Sequence, residues 1–248
     1  MDKFFIRFCL QRMEGALEEN FPYECIMDAS KKEILSFLDE CDSWQQKQAD
    51  RISLTMNLAE LNGKKVLFVG DSLTADRLGY RGIVTKAAKL TGYNAAISGA
   101  ISTDMFRYLK DHIQKFNPDI VSIMIGTNDS LIIADEKNLV SKEEYDCNLE
   151  KIIDISKESG AKIIISTIPP TDEERFKSPN KSNNNHNIGI YCDIIRNKAK
   201  KYGIILNDFA EFVKVLSLEQ IIEDDGIHLT KQGQVYLAES WLNALVVN

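Results

Sequence analysis

From residue 64 onward the chain alternates short, unbroken apolar runs with longer segments of helical period, and few folds accommodate that pattern. The runs are Val66-Leu-Phe-Val69, Ile-Val-Ser-Ile-Met-Ile at 120–125, Lys-Ile-Ile-Ile-Ser-Thr at 162–167 and Gly-Ile-Ile-Leu at 203–206. A strand with one wet face alternates apolar and polar residues, whereas one covered on both faces is apolar throughout. Asn-Ala-Ala-Ile at 94–97 is a weaker fifth candidate. Between the runs, Phe106, Leu109, Ile113 and Phe116 form one helical stripe. Ser141-Lys-Glu-Glu144 is a capping box whose helix continues through Tyr145, Leu149, Ile152 and Ile153. Residues 188–202 and 231–246 supply two further helices. Such alternation implies an α/β domain, a parallel sheet covered by helices on both faces. Ligand sites in such sheets lie beyond the carboxyl ends of the strands.

Residues 1–60 read differently. Ser30-Lys-Lys-Glu33 is a second capping box, and Ile34, Phe37, Leu38 and Cys41 follow at helical spacing, which predicts a helix over roughly 30–45 and another over about 47–60. Asn62-Gly63 then marks a turn. The segment carries Phe4, Phe5, Phe8, Phe21, Phe37 and Trp44, and disordered tails are poor in aromatics. It is therefore expected to fold as a helical amino-terminal extension (1–60), packed on the main domain (61–248) or on a second subunit as a homo-oligomer contact. A role in shaping access to a site on the main domain is the lesser expectation.

Composition narrows the partners. The net charge of −7 argues against nucleic acid, which needs a clustered basic face. No window approaches 18 consecutive apolar residues, so no membrane span is expected. The opening Met1-Asp-Lys-Phe-Phe-Ile-Arg7 starts like a secretory signal, but Arg7 breaks the apolar run and no small-residue cleavage site follows, so a cytoplasmic location is expected. Five cysteines, Cys9, Cys25, Cys41, Cys147 and Cys192, form no CxxC pair and read as free thiols. His112, His186 and His228 lack metal-ligand spacing. The loop after the first strand contains neither phosphate-cradling glycine pattern, which speaks against a nucleotide or flavin domain.

Four short blocks carry chemistry. Gly70-Asp71-Ser72-Leu73 lets a serine leave the first strand on a sharp turn at the mouth of the sheet. Ile97-Ser98-Gly99 places a glycine where backbone can approach a ligand. Gly126-Thr127-Asn128-Asp129 follows the most apolar strand and offers an amide donor. Asp225-Gly226-Ile227-His228 precedes the last helix. A serine attacks a carbonyl poorly unless a base removes its proton, and histidine is the usual base near neutral pH. A carboxylate three residues away on a tight turn can orient that imidazole.

Taken together and in this order, the blocks closely resemble those of the SGNH/GDSL hydrolase family, named for its serine, glycine, asparagine and histidine markers. The resemblance covers roughly residues 64–246, with no departure at any marker. It implies a three-layer α/β/α sandwich around a parallel, flavodoxin-like five-stranded sheet. It also implies a mechanism: Ser72 as nucleophile, His228 as base, Asp225 as its orienting partner, and an oxyanion hole built from the backbone N–H groups of Ser72 and Gly99 and the side-chain amide of Asn128. It implies no metal or organic cofactor.

The substrate class expected from that resemblance is a carboxylic ester with a short, acetyl-like acyl group on a polar carrier such as a carbohydrate. The stretch 171–187 is long and almost wholly polar and follows a strand, so it should lie near the site, unlike a lining for a fatty chain. A lysophospholipase or thioesterase is the alternative enzyme. A non-catalytic binding module on an esterase fold is the alternative from another class, and the intact Ser72, Asn128, Asp225 and His228 argue against it.

Overall fold

Backbone groups buried away from water must find partners, and in the sheet they find them along five parallel strands. The computed structural model describes residues 7–8, 31–133, 136–178 and 180–247. The strands are β1 (Lys65–Gly70), β2 (Thr91–Asn94), β3 (Ile120–Met124), β4 (Lys162–Ser166) and β5 (Ile205–Asn207), in spatial order β2-β1-β3-β4-β5. All four neighbouring pairs are parallel, with Val66 opposite Ile120, Val121 opposite Ile163 and Ile164 opposite Ile205.

Side chains of successive strand residues point to opposite faces, and the two faces build two cores. Val66, Phe68, Ile120, Met124 and Ile164 face α3 (Tyr80–Ala87) and α9 (Lys231–Val247). Leu67, Val69, Val121, Ile123, Ile163 and Ile165 face α4 (Ser102–Phe116), α5 (Lys142–Glu158) and α6 (Asn185–Tyr202). The polar Ser122 in the middle of β3 is buried, and Trp241 of α9 donates its indole N–H to the Ser122 hydroxyl at 2.9 Å. That bond satisfies a group whose burial alone would be costly.

Three expected boundaries shift. The weak strand read at 94–97 is β2 at Thr91–Asn94. Beyond it the chain still runs beside β1, since Ala95 and Ile97 donate their N–H groups to the Phe68 and Gly70 carbonyls. The fifth strand begins at Ile205, because Gly203 is the left-handed cap of α6, with φ of 61°. The two helices expected over 30–45 and 47–60 are one helix, α1 (Lys31–Ser53), followed by a short 3-10 turn at Ala59–Leu61. Gln45 to Gln48 contain no breaker, and Ile34, Phe37, Cys41, Gln45, Gln48 and Ile52 bury one continuous stripe across the expected break. Ser30, the expected cap, lies outside the described residues. Among those residues, Cys41, Cys147 and Cys192 are free thiols; Cys9 and Cys25 lie outside them.

α1 packs on α3, on the Phe68 face of the sheet. Gly82 of α3 makes the close approach: a Cβ there would fall within 2.2 Å of the Gln45 amide. The Gln45 amide donates to the carbonyls of Arg77 and Gly79 at 2.7 and 3.2 Å. Asp42 pairs with Lys86 at 2.6 Å, a pair exposed enough to contribute about 1 kcal/mol at most. Each large apolar side chain on the buried stripe contributes about 1.5–3 kcal/mol, so apolar burial dominates the docking. No helix among the described residues is long and apolar enough to cross a membrane.

Candidate active site

The four sequence blocks all emerge at the carboxyl ends of β1, β3 and the neighbouring loops. Gly70 ends β1 where a Cβ would lie 2.2 Å from the Met124 carbonyl oxygen, so only glycine lets β1 and β3 run this close before they part. Asp71 then caps a one-turn helix, α2 (Ser72–Ala75), its Oδ1 accepting the Leu73 N–H at 3.0 Å. That cap turns the chain sharply and leaves the Ser72 side chain half-buried at the sheet edge.

Opposite lies the turn 223–228, closed by Glu223 donating its N–H to the His228 carbonyl at 2.8 Å and by Gly226 donating to the Glu223 carbonyl at 2.9 Å. Asp225 accepts the N–H groups of Ile227 and His228 with Oδ1, at 3.0 and 2.9 Å. Its Oδ2 lies 2.6 Å from His228 Nδ1, and His228 Nε2 lies 2.9 Å from Ser72 Oγ. Serine, imidazole and carboxylate therefore form one hydrogen-bonded line. Burial pushes the Asp225 carboxyl up, but the hydrogen bond and charge of His228, with the two backbone N–H groups, outweigh it and hold the group at about 2. A carboxylate that stays ionised fixes the Nδ1–H tautomer, which leaves Nε2 free to accept the serine proton.

Gly99 and Asn128 flank the serine's strand. Gly99 has φ of +78°, a conformation that favours glycine. Asn128 donates one N–H of its amide to the Ala100 carbonyl at 2.9 Å, which ties the asparagine block to the glycine block and leaves a second amide hydrogen to donate elsewhere. Gly126, with φ of +131°, makes room for Tyr145, whose hydroxyl would sit 2.7 Å from a Cβ there. That hydroxyl donates to the Ile125 carbonyl at 2.7 Å.

Several residues outside the proposed Ser72–His228–Asp225 line also shape the site. Two carboxyls, Asp71 and Asp129, are fully buried. Burial pushes Asp71 up to about 7 and Asp129 up to about 6, against the N–H bonds each accepts. Both sit inside the blocks, as caps rather than reactants. Arg7 and Phe8 also reach the site. The Phe8 ring lies 4.2 Å from the His228 ring, tilted by 32°, and Arg7 pairs with Asp76 and Glu223 at 2.6 Å. In the sequence Arg7 is legible only as a break in an apolar run, and Phe8 only as one of the segment's aromatics.

The polar stretch that begins at Thr171 is tied down by hydrogen bonds and touches the acid–base turn. Asp172 donates its N–H to the Gly226 carbonyl at 2.8 Å, and a Cβ on Gly226 would lie 2.3 Å from the Phe176 nitrogen. Thr171 and Asn185 exchange two hydrogen bonds, at 2.9 and 2.8 Å. Ser182 and Ile132 pair through their backbones, and the Asn187 amide donates to the Ser130 carbonyl.

A serine, an imidazole and a carboxylate in line at the carboxyl edge of a parallel sheet form an arrangement suited to acyl transfer. Residues 68–235 match the model of the GDSL-like lipase/acylhydrolase family, and the chain belongs to that family. It is a carboxylic ester hydrolase. An arylesterase from Vibrio mimicus is 27% identical over 207 residues, covering 77% of this chain and 92% of the relative. A multidomain esterase from Ruminococcus flavefaciens is 28% identical over 138 residues, which are 54% of this chain but 16% of that protein. Among solved structures, an acetylxylan esterase from Geobacillus stearothermophilus shares the fold with a TM-score of 0.61 at 23% identity, over 77% of this chain and 96% of that one.

Proposed function

We propose that the chain removes short acyl groups from a polar carrier such as a carbohydrate, with Ser72 as the nucleophile. The observation that carries this reading is the continuous line Ser72 Oγ–His228 Nε2–Nδ1–Asp225 Oδ2, at 2.9 and 2.6 Å. Ser72 Oγ attacks the ester carbonyl as its proton passes to His228 Nε2, and the carbonyl π electrons move onto oxygen. The backbone N–H groups of Ser72 and Gly99 and the free amide hydrogen of Asn128 receive that oxyanion. Collapse expels the alcohol, which leaves with the proton held on His228. Water then repeats the sequence on the acyl-enzyme and frees the acid, restoring Ser72.

The carrier half of the reading is supported by the polar stretch beginning at Thr171, which contacts Gly226 of the acid–base turn. The acetylxylan esterase among the structural neighbours is consistent with it. The test is hydrolysis of p-nitrophenyl acetate against p-nitrophenyl palmitate, and of acetylated sugars against lysophospholipids and acyl thioesters. The reading expects a preference for acetyl esters and complete loss with Ser72→Ala. A serine-directed fluorophosphonate should label Ser72. Preference for long acyl chains would favour the lysophospholipase or thioesterase reading. Absence of both turnover and labelling would favour a binding module.

A further inference from the structure

Every marker residue of the proposed mechanism falls within residues 68–235, yet two side chains from far outside that range sit against the site. Arg7 makes four hydrogen bonds with one guanidinium. Nε and Nη2 donate to the two oxygens of Asp76 at 2.6 Å each, Nη1 donates to Glu223 Oε1 at 2.6 Å, and Nη2 also donates to the Leu229 carbonyl at 3.1 Å. These partners belong to the two halves of the site. Asp76 caps α2, its N–H donating to the carbonyl of Ser72 itself at 3.0 Å. Glu223 and Leu229 bracket the turn that carries Asp225 and His228. Arg7 thus bridges the serine's helix to the imidazole's turn through a planar fork whose geometry matches a carboxylate. The pair is buried, with Arg7 at 8% exposure and Asp76 at 1%.

The next residue extends the contact to the imidazole. Phe8 is 2% exposed and lies 4.2 Å from the His228 ring, and the Arg7 guanidinium sits 4.9 Å from the Phe8 ring centroid. The imidazole must keep its plane to hold Ser72 at one nitrogen and Asp225 at the other. A ring packed against it opposes rotation about its own axis and keeps water from that side.

We propose that Arg7 and Phe8 are positioning residues of the active site: Arg7 fixes the spacing between the Ser72 helix and the His228 turn, and Phe8 fixes the imidazole plane. On this view Arg7 and Phe8, far ahead of the first catalytic block in sequence, position the catalytic groups. The proposal rests on the functional reading above, with Ser72 and His228 as nucleophile and base.

The experiment uses the full chain and the variants Phe8→Ala, Phe8→Leu, Arg7→Ala and Arg7→Lys. Rates on p-nitrophenyl acetate are expressed per site labelled by fluorophosphonate at completion, so that misfolded molecules do not count. Misplacement of reacting groups by an ångström can cost about 100-fold. The expected result is a fall in kcat per labelled site of about 10- to 100-fold for Phe8→Ala and Arg7→Ala, with KM changed by less than about threefold. Phe8→Leu should fall between wild type and Phe8→Ala. Added guanidinium should restore part of the Arg7→Ala rate, and Arg7→Lys should remain impaired, since an ammonium has no planar fork to hold both oxygens of Asp76 in parallel while also reaching Glu223. Unchanged kcat per labelled site in Phe8→Ala and Phe8→Leu, whatever happens to the melting temperature, overturns the proposal and reduces the contact to packing. A wild-type chain that neither cleaves the ester nor labels at Ser72 overturns the functional reading, and this proposal with it.

Discussion

Asp129 accepts the backbone N–H of Ser102, the first residue of α4, with both carboxylate oxygens, at 3.0 and 3.1 Å. The bond joins the loop bearing Asn128 to the loop bearing Gly99, and Asn128 repeats the link through the Ala100 carbonyl. Two of the three proposed oxyanion donors are therefore held in register by contacts between their loops, one of which Asn128 makes itself. Asp129→Ala strands a buried N–H, which costs about 1–3 kcal/mol. The melting temperature should fall, and kcat should fall more than KM rises. An unchanged kcat in a folded variant would disconnect Asp129 from the oxyanion hole.

Asn128→Ala keeps the Ser72–His228–Asp225 line but removes one proposed donor. The interaction strengthens as charge develops on oxygen, so kcat should drop about 100- to 1,000-fold with a smaller change in KM. Steady-state kinetics on a single acetyl ester decides it. A rise in KM at constant kcat would assign Asn128 to ground-state binding.

Asp71 gives the protein a pH signature of its own. Burial raises its folded-state value to about 7, above that of an unfolded carboxyl. Between those two values the folded state binds more protons than the unfolded state, so this group's contribution to stability falls as pH rises from about 4 to about 7 and is flat above. Asp225, held at about 2, acts oppositely: its contribution is present above about pH 4 and is lost as pH falls toward 2. Asp71→Asn retains an oxygen to cap Leu73 and removes the charge. The variant should gain stability relative to wild type as pH rises from 5 to 8. Denaturant midpoints at the two pH values measure this, and an equal difference at both would show that Asp71 does not titrate in that window.

Gly226 couples the polar stretch to the acid–base turn. An alanine there would adopt φ of +80° and bring a methyl within 2.3 Å of the Phe176 nitrogen. Left-handed backbone costs a non-glycine residue about 1–2 kcal/mol before any clash. Gly226→Ala should lower both stability and kcat, because Asp225 and His228 move with the turn. Gly99→Ala serves as comparison: it has similar φ but nothing within 4 Å of the added Cβ, so it should destabilise less.

How much of this was legible in the sequence depends on the range of the forces involved. The strands β1, β3 and β4 announced themselves, since a run such as Ile-Ile-Ile at 163–165 has no solvated face to offer. The four blocks do too, because turn chemistry at a strand end is local: Asp71 and Asp225 make their defining bonds within three residues. α1 reads as two helices because the polar run 45–48 interrupts its apolar stripe, and Gln45 is buried there only by bonding to the Arg77 and Gly79 carbonyls, far away in sequence. Arg7 was invisible for the same reason. Its partners Asp76 and Glu223 lie 69 and 216 residues away, and no local pattern marks a long-range ion pair.

The chain has two tryptophans, and the fold places them on different sides of one question. Trp241 is fully buried against β3 with its indole bonded to Ser122, whereas Trp44 sits half-buried on α1 beneath the Lys231 ammonium, 5.7 Å away. Emission from the first reports the hydrolase core; emission from the second reports whether α1 is seated. Elements with fewer buried contacts open at lower free energy than a core. Single-tryptophan versions of this chain would therefore resolve unseating of α1 from global unfolding by colour alone, without an added label.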